Sequence, residues 1–293
     1  MKNNKRLFFS MAAFLVAPGA AVAASQTPPS AILRLNNSIE ASYQLSQLHY
    51  GETKNNAYLD TENGKVHGEA LGISWMGNIG ARDDGGDADA SWELKNVYLS
   101  LSYGYVTGDV SYQGGIQDCS TNPCTITSYA GTSHARIKDW SAKVGKGFVL
   151  SNDFMATPYL GFGTHEWDRD LLGTYGYSET YQNDFYDLGG LFQYALSKRC
   201  VVSADLAVGA TGHGSVTSPD ASMELGSSAY YDAGLAVDVA LASRLHAFAE
   251  ARYKRFKYGY SNWYPIPGTN LAAMEPNSTT GAASYNVGLR YAY

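Results

Sequence analysis

The last nine residues of the chain alternate. Tyr285, Val287, Leu289, Tyr291 and Tyr293 are apolar or aromatic, while Asn286, Gly288, Arg290 and Ala292 between them are polar or small. A repeat of two places successive side chains on opposite faces of a β-strand. The same alternation runs through 229–241, where Tyr231, Ala233, Leu235, Val237, Val239 and Leu241 oppose Asp232, Gly234, Ala236, Asp238 and Ala240. In 245–254, Leu245, Ala247, Ala249, Ala251 and Tyr253 oppose His246, Phe248, Glu250, Arg252 and Lys254. Residues 96–105 set Val97, Leu99, Leu101, Tyr103 and Tyr105 against Asn96, Ser100, Ser102 and Gly104, and 201–210 set Val202, Leu206 and Val208 against Ser203, Asp205 and Gly209. Weaker copies lie at 38–49, 66–76, 138–150, 155–167 and 184–196. The pattern predicts about ten antiparallel strands, with eight or twelve also open.

Connection lengths order these strands. Tight turns at 151–153, 197–199 and 242–244 alternate with long polar stretches over 107–133, 168–183, 211–228 and 259–281. Short turns at one end and long loops at the other are the habit of an up-and-down membrane barrel. Residues 78–91 break the rule: with Asp83, Asp84, Asp87 and Asp89 they are long and acidic where a short turn belongs.

Two architectures fit such strands. A soluble sandwich packs its apolar face on a second sheet, whereas a transmembrane barrel turns that face to lipid and its small, polar face inward. Glycine and alanine crowd the polar face, and tyrosines gather toward strand ends, as an interfacial girdle requires. Both features favour the barrel. Composition agrees: only 16% of residues are charged, mean hydropathy is -0.25, and no run of about 18 apolar residues follows residue 24 to make a membrane helix.

Residues 1–24 read as a secretory signal peptide. Lys2, Lys5 and Arg6 precede an apolar stretch from Leu7 to Val16, and Ala21-Val22-Ala23 offers a small-residue cleavage site. Residues 25–37 are then a short periplasmic segment and 38–293 the barrel. Removal of the three basic residues leaves 18 basic against 27 acidic residues, a net charge of -9. Nucleic acid is an unsuitable partner for so acidic a chain. Export permits disulfides, and Cys119 and Cys124, with four residues between them that include Asn122-Pro123, are expected to staple a loop, with Cys200 left as a free thiol. No cluster of Cys or His suggests a metal, and no cofactor motif is present.

With the export signal and the closing strand in view, the chain resembles the Gram-negative outer-membrane β-barrel proteins of the porin-like class. In them a final alternating strand ending in an aromatic is similar to the signal read by the barrel-assembly machinery; Tyr285, Val287, Leu289, Tyr291 and Tyr293 fill those positions, with tyrosine where phenylalanine is more usual. The resemblance implies an outer-membrane location, with lipid and lipopolysaccharide as surroundings. Monomer is the default for a barrel this small.

About ten strands enclose a narrow interior. Glu40, Asp232, Asp238, Glu250, Arg252, Lys254 and Arg290 all fall on the inward face, on adjoining strands, and predict an ion-pair network that braces the wall and narrows the lumen. A selective path for small solutes is the competing reading. A surface adhesin or receptor is the alternative role, carried by Tyr105, Tyr112, Tyr129, Tyr258, Tyr260, Trp263 and Tyr264 of the long loops. Enzymatic readings are weaker. An omptin-like protease needs an aspartate pair facing an aspartate–histidine pair, and neither Asp83-Asp84 nor Asp205 with His213 matches it. Among His49, His67, His134, His165, His213 and His246, none neighbours a recognisable serine nucleophile. The sequence therefore predicts a non-enzymatic barrel.

Overall fold

A computed structural model describes residues 29–54, 57–80, 93–118, 125–219, 221–265 and 272–293. Ten long strands follow one another round a closed antiparallel ring: β1 (Ser38–Lys54), β2 (Ala57–Gly80), β3 (Glu93–Asp118), β4 (Thr125–Lys146), β5 (Phe154–Leu171), β6 (Tyr177–Ser197), β7 (Cys200–Ser218), β8 (Ala229–Ala240), β9 (Leu245–Tyr258) and β10 (Asn277–Ala292). β1 closes on β10 in continuous register from Ser38↔Ala292 to Thr53↔Asn277. Two pieces extend the wall: Phe148–Val149 against β5, and Ala221–Leu225 against the end of β7. The strand count and up-and-down order are those the alternation predicts.

Both ends of the described chain lie at one rim, called here the lower one, with the turns at 150–153, 198–199 and 241–244. The β2–β3 pairing ends there at Gly80↔Glu93; Asp83, Asp84, Asp87 and Asp89 of the acidic 78–91 segment lie outside the described residues. The signal peptide, Cys119 and Cys124 lie outside them too. Cys200 is a free, half-buried thiol at the start of β7.

The upper connections correct the expectation from sequence. Most of 107–133, 168–183 and 211–228 is strand, not loop: β3 and β4 pair without a break from Val97↔Lys146 to Asp118↔Thr125, and β5 and β6 continue to Leu171↔Tyr177. Of 259–281, the last five residues belong to β10. The alternation does not stop in these stretches; it reverses. On β3 the outward Leu99, Leu101 and Tyr103 give way to Thr107, Asp109 and Ser111, while the inward Ser100, Ser102 and Gly104 give way to Val106, Val110 and Tyr112. On β5 the outward Leu160 and Phe162 give way to Glu166, Asp168 and Asp170, and the inward Gly161 and Gly163 to His165, Trp167 and Arg169. The lower half is therefore greasy outside and polar within. The upper half is a polar cylinder around an aromatic core that includes Tyr50, Trp167, Tyr181, Phe185, Tyr230 and Phe256.

A short helix fills the base of the ring. In α1 (Ser30–Leu35), Ala31, Ile32 and Leu35 are buried against Met76, Tyr98, Met155 and Val201. Asn36 and Gln193 exchange side-chain amide hydrogen bonds of 2.8 and 2.9 Å. The Asn37 side chain accepts from the Met76 N–H and donates to its carbonyl, both at 3.0 Å. The helix is thus moored to β2 and β6. Ile32→Ala is expected to destabilise the barrel by about 2–5 kcal/mol, the range for an aliphatic side chain removed from a packed core. Urea unfolding of the refolded protein checks it, and a loss well below that range would mean that α1 contributes little.

Candidate functional site

The lower lumen is lined by charge. Arg252 on β9 donates to both oxygens of Asp232 on β8 at 2.7 and 2.6 Å, to Glu250 at 3.0 Å and to Asp205 on β7 at 3.0 Å. Asp205 also accepts from Lys143 Nζ and from the Tyr159 hydroxyl, each at 2.5 Å. Arg290 on β10 donates to Asp238 at 2.9 Å and to Glu40 on β1 at 2.9 Å. Lys254 crosses the full width of the ring to Asp139 on β4 at 3.0 Å. Two imidazoles complete the set, with Nδ1 of His165 on Asp139 and Nδ1 of His246 on Asp238, both at 2.6 Å.

Of the seven residues predicted for a network, Arg252 meets Asp232 and Glu250, and Arg290 meets Glu40 and Asp238. Lys254 meets none of the other six. Its partner Asp139, like Lys143 and Tyr159, sits on a strand whose alternation is weak. Asp205 does alternate inward, but its partners come from non-adjacent strands, and contacts across a lumen leave no trace in the order of residues along a chain.

A cavity of about 250 Å³ lies among these groups. Leu35 and Asn36 bound it below; Val106, Ile137, Phe185, Tyr230 and Phe256 bound it above. The upper boundary is a packed layer of rings. Phe185 stacks on Tyr230 at 4.6 Å between centroids, Tyr230 lies 5.0 Å from Phe256, and His165 stacks on Phe256 at 4.3 Å. Offset and edge contacts at these spacings are the favourable geometries of aromatic pairs.

Above the ring layer lies a second ionic centre, built on Arg169. Its guanidinium is 1% exposed and donates to Glu62 at 2.6 Å, Asp60 at 2.7 Å and Glu179 at 2.9 Å, with Glu52 at 3.5 Å. Tyr50 lies beneath it, 4.9 Å from ring centroid to guanidinium carbon, a cation–π distance. The Tyr50 hydroxyl donates to Glu52 at 2.5 Å, and the Tyr181 hydroxyl to Glu275 at 2.7 Å. Four carboxyls thus contact one guanidinium, and a fifth, Glu275, joins the centre through the Tyr181 hydroxyl. Burial, which disfavours the charged form, is the chief reason the carboxyls of Glu52, Glu62 and Glu179 all titrate above the ordinary range. Glu275 is pushed up to about 7, by burial first and by Glu179 second. Sequence reasoning missed this centre because its members fall where the alternation reverses.

The remaining candidates separate. The five closing residues, Tyr285, Val287, Leu289, Tyr291 and Tyr293, all face outward and are exposed, and the Tyr293 hydroxyl donates to the Ser74 carbonyl at 2.7 Å. Asp205 is inside the lumen, whereas His213 is outside, against Asp184 at 3.1 Å, so that pairing does not form. On the outer face, His134 contacts Asp109 at 2.7 Å and Thr107 at 3.3 Å. That order of groups suits an activated hydroxyl, but the Asp109 side chain is 65% exposed on an open wall, where no cleft excludes water from a substrate.

No family model matches the chain, and no curated protein matches it either. Among solved structures it is similar to the outer membrane protease OmpT from Escherichia coli, with a TM-score of 0.56 and 10% identity over 88% of this chain and 97% of that one. The attachment invasion locus protein Ail of Yersinia pestis gives 0.31 and 10% over 87% and 99%, and the translocator domain of autotransporter NalP from Neisseria meningitidis 0.37 and 11% over 87% and 88%. At 10% identity the likeness to OmpT is one of fold: the chain is a closed ten-stranded antiparallel barrel of the same kind.

The Arg169 centre makes the upper end sensitive to pH. Folding raises the Glu275 carboxyl from an ordinary 4.5 to about 7, so its contribution to stability is complete below pH 4.5 and is lost as pH rises through 7. The Ser261 and Glu275 amides are bonded to each other's residues, at 3.1 and 2.7 Å, and report on this end. Their hydrogen exchange, corrected for intrinsic rates, is expected to be faster at pH 8 than at pH 5.5, and Glu275→Gln is expected to abolish the difference. Equal protection at both pH values would refute the assignment.

Proposed function

We propose that the protein is an integral outer-membrane barrel with a structural role, its lumen closed to solutes. The membrane placement rests on the outer surface of the lower half. Val287 is 66% exposed and Leu235 62%, and apolar side chains of this kind form a belt round the whole ring, far more than a monomer tolerates in water. Tyr103, Tyr186 and Tyr253 edge the belt above, and Tyr194 and Tyr291 below, where amphipathic rings sit at a bilayer interface. Strands such as the 26-residue β3 exceed the 9–11 residues needed to cross, so the upper half projects outward from the cell.

The groups stacked along the lumen are the observation that supports the role. Helix α1 fills the base, ion pairs brace the middle, the ring layer covers the cavity, and the Arg169 centre lies beyond. Such a barrel holds its shape without a water path. Planar-bilayer recordings on refolded, heat-modifiable protein are expected to show no stable channel. Arg252→Ala leaves Asp232, Asp205 and Glu250 short of their shared cation, a loss of about 3–5 kcal/mol for a buried pair broken on one side, and is expected to lower the unfolding temperature in detergent. Stable unitary conductance of the unaltered protein would overturn the closed-lumen reading.

A second reading concerns the upper rim. Tyr58 is 70% exposed and Trp263 65%, and aromatic rings on a rigid support are efficient recognition groups. Cells displaying the protein are expected to adhere to immobilised host matrix, and the Tyr58→Ser, Trp263→Ser double variant to lose most of that adhesion. Unchanged adhesion would count against a receptor surface here.

A further inference from the structure

The outer wall above the apolar belt is electrically lopsided. On β4 and β5, Arg136 and Lys138 are taken up by carboxylates, with Arg136 to Asp170 at 2.8 Å and Lys138 to Glu166 at 2.5 Å. The opposite wall has no such partners. Among the described residues, the four consecutive strands β8, β9, β10 and β1 carry no carboxylate at any outward position; Asp232, Asp238, Glu250, Glu40 and Glu52 all turn into the barrel. On that wall Arg255 and Lys257 of β9 are half-buried, and neither forms an ion pair or a side-chain hydrogen bond with a described residue.

Strand register arranges these cations around a notch. Arg255 lies opposite Gly281 of β10, and Gly281 opposite His49 of β1. Glycine leaves the middle of this row bare, and a Cβ there would stand 3.1 Å from the Tyr253 hydroxyl. The floor of the notch is therefore backbone, with Arg255 and His49 to either side and the Tyr253 hydroxyl over it. Lys257, opposite Thr279, stands one row above. His49 is oriented by a hydrogen bond between its Nδ1 and the Asn63 side chain. Beneath the notch comes one row with Tyr253, Ala283 and Gln47, and below that the wall is apolar, with Leu45, Tyr285 and Val287 facing outward.

We propose that this notch binds the phosphoryl group of a membrane glycolipid whose acyl chains lie along the belt below it. Two cations and a phenol on a field without carboxylates suit a phosphate monoester, and a guanidinium matches its oxygens in pairs. Continuity with the apolar belt selects a lipid over a soluble anion, because only a lipid occupies both surfaces at once. The inference rests on the membrane placement proposed above.

Native mass spectrometry of the refolded barrel with bisphosphorylated lipid A, dephosphorylated lipid A and phosphatidylcholine tests it. The protein is expected to retain bisphosphorylated lipid A roughly tenfold better than the dephosphorylated form, the scale of one or two charge-assisted hydrogen bonds. The Arg255→Gln, Lys257→Gln double variant is expected to lose that preference, and Arg136→Gln, Lys138→Gln on the opposite wall to keep it. Excess inorganic phosphate is expected to leave the lipid bound. Equal retention of the two lipid A forms, an undiminished preference in the double variant, or complete displacement by phosphate would each overturn the proposal. Insertion into phosphatidylcholine vesicles, read by heat-modifiable migration, is scored separately. A barrel that inserts but shows no preference defeats only the glycolipid site, whereas one that fails to insert defeats the membrane placement itself.

Discussion

Inside a hydrocarbon layer each backbone N–H and C=O must be satisfied by the protein, because no water is there to do it. The pairing of β1 with β10 is what would meet that demand. Without those sixteen register pairs, Ser38↔Ala292 through Thr53↔Asn277, β1 and β10 would each present a long unpaired edge. Closure also decides what the interior must be. Ten strands leave a narrow space, and along its axis this chain sets paired charges around a cavity of about 250 Å³, then a layer of aromatic rings, then the Arg169 centre.

The interior charges follow from that confinement. An isolated ion in a narrow lumen loses hydration and gains little in return. Each lower cation therefore faces one or more carboxylates, and Asp139, Asp205 and Asp238 are each shared between two cationic or imidazole partners. The upper centre inverts this ratio, with four carboxyls on the Arg169 guanidinium, and burial raises the pKa of Glu52, Glu62 and Glu179. The two centres are separated by the Phe185, Tyr230 and Phe256 layer.

Much of this architecture is legible in the order of residues. The clean alternation of 229–241, 245–254 and 285–293 gives β8, β9 and β10, their outward faces and half of the lower ion pairs, since partners on adjoining strands share a local pattern. Contacts across the lumen, such as Lys254 with Asp139, are invisible to that logic. So is α1, whose six residues are too few to show a helical period. The upper strands were hidden for a different reason. Polar residues such as Asp109, Asp168 and Asp170 read as loop when the apolar face is assumed to stay outside, and only the burial of Val110, Leu171 and Tyr181 reveals that the faces have exchanged roles.

The exchange of faces limits how such a barrel changes length in evolution. With a period of two, gaining a single residue in an upper strand would swing Trp167-like rings to the water side and carboxylates into the core, so growth is confined to steps of two. One exception is in β7, where the four residues Gly212–Ser215 span what three, Gln182–Asp184, cover on β6; β2 has another, with Tyr58–Thr61 against Gly51–Thr53 of β1. In β7, His213 takes up the surplus with a φ of 46°, a bulge that absorbs one odd residue and restores the phase beyond it. Lineages of this fold would be recognised less by identity than by even-numbered differences in hairpin length, with a bulge marking each odd one.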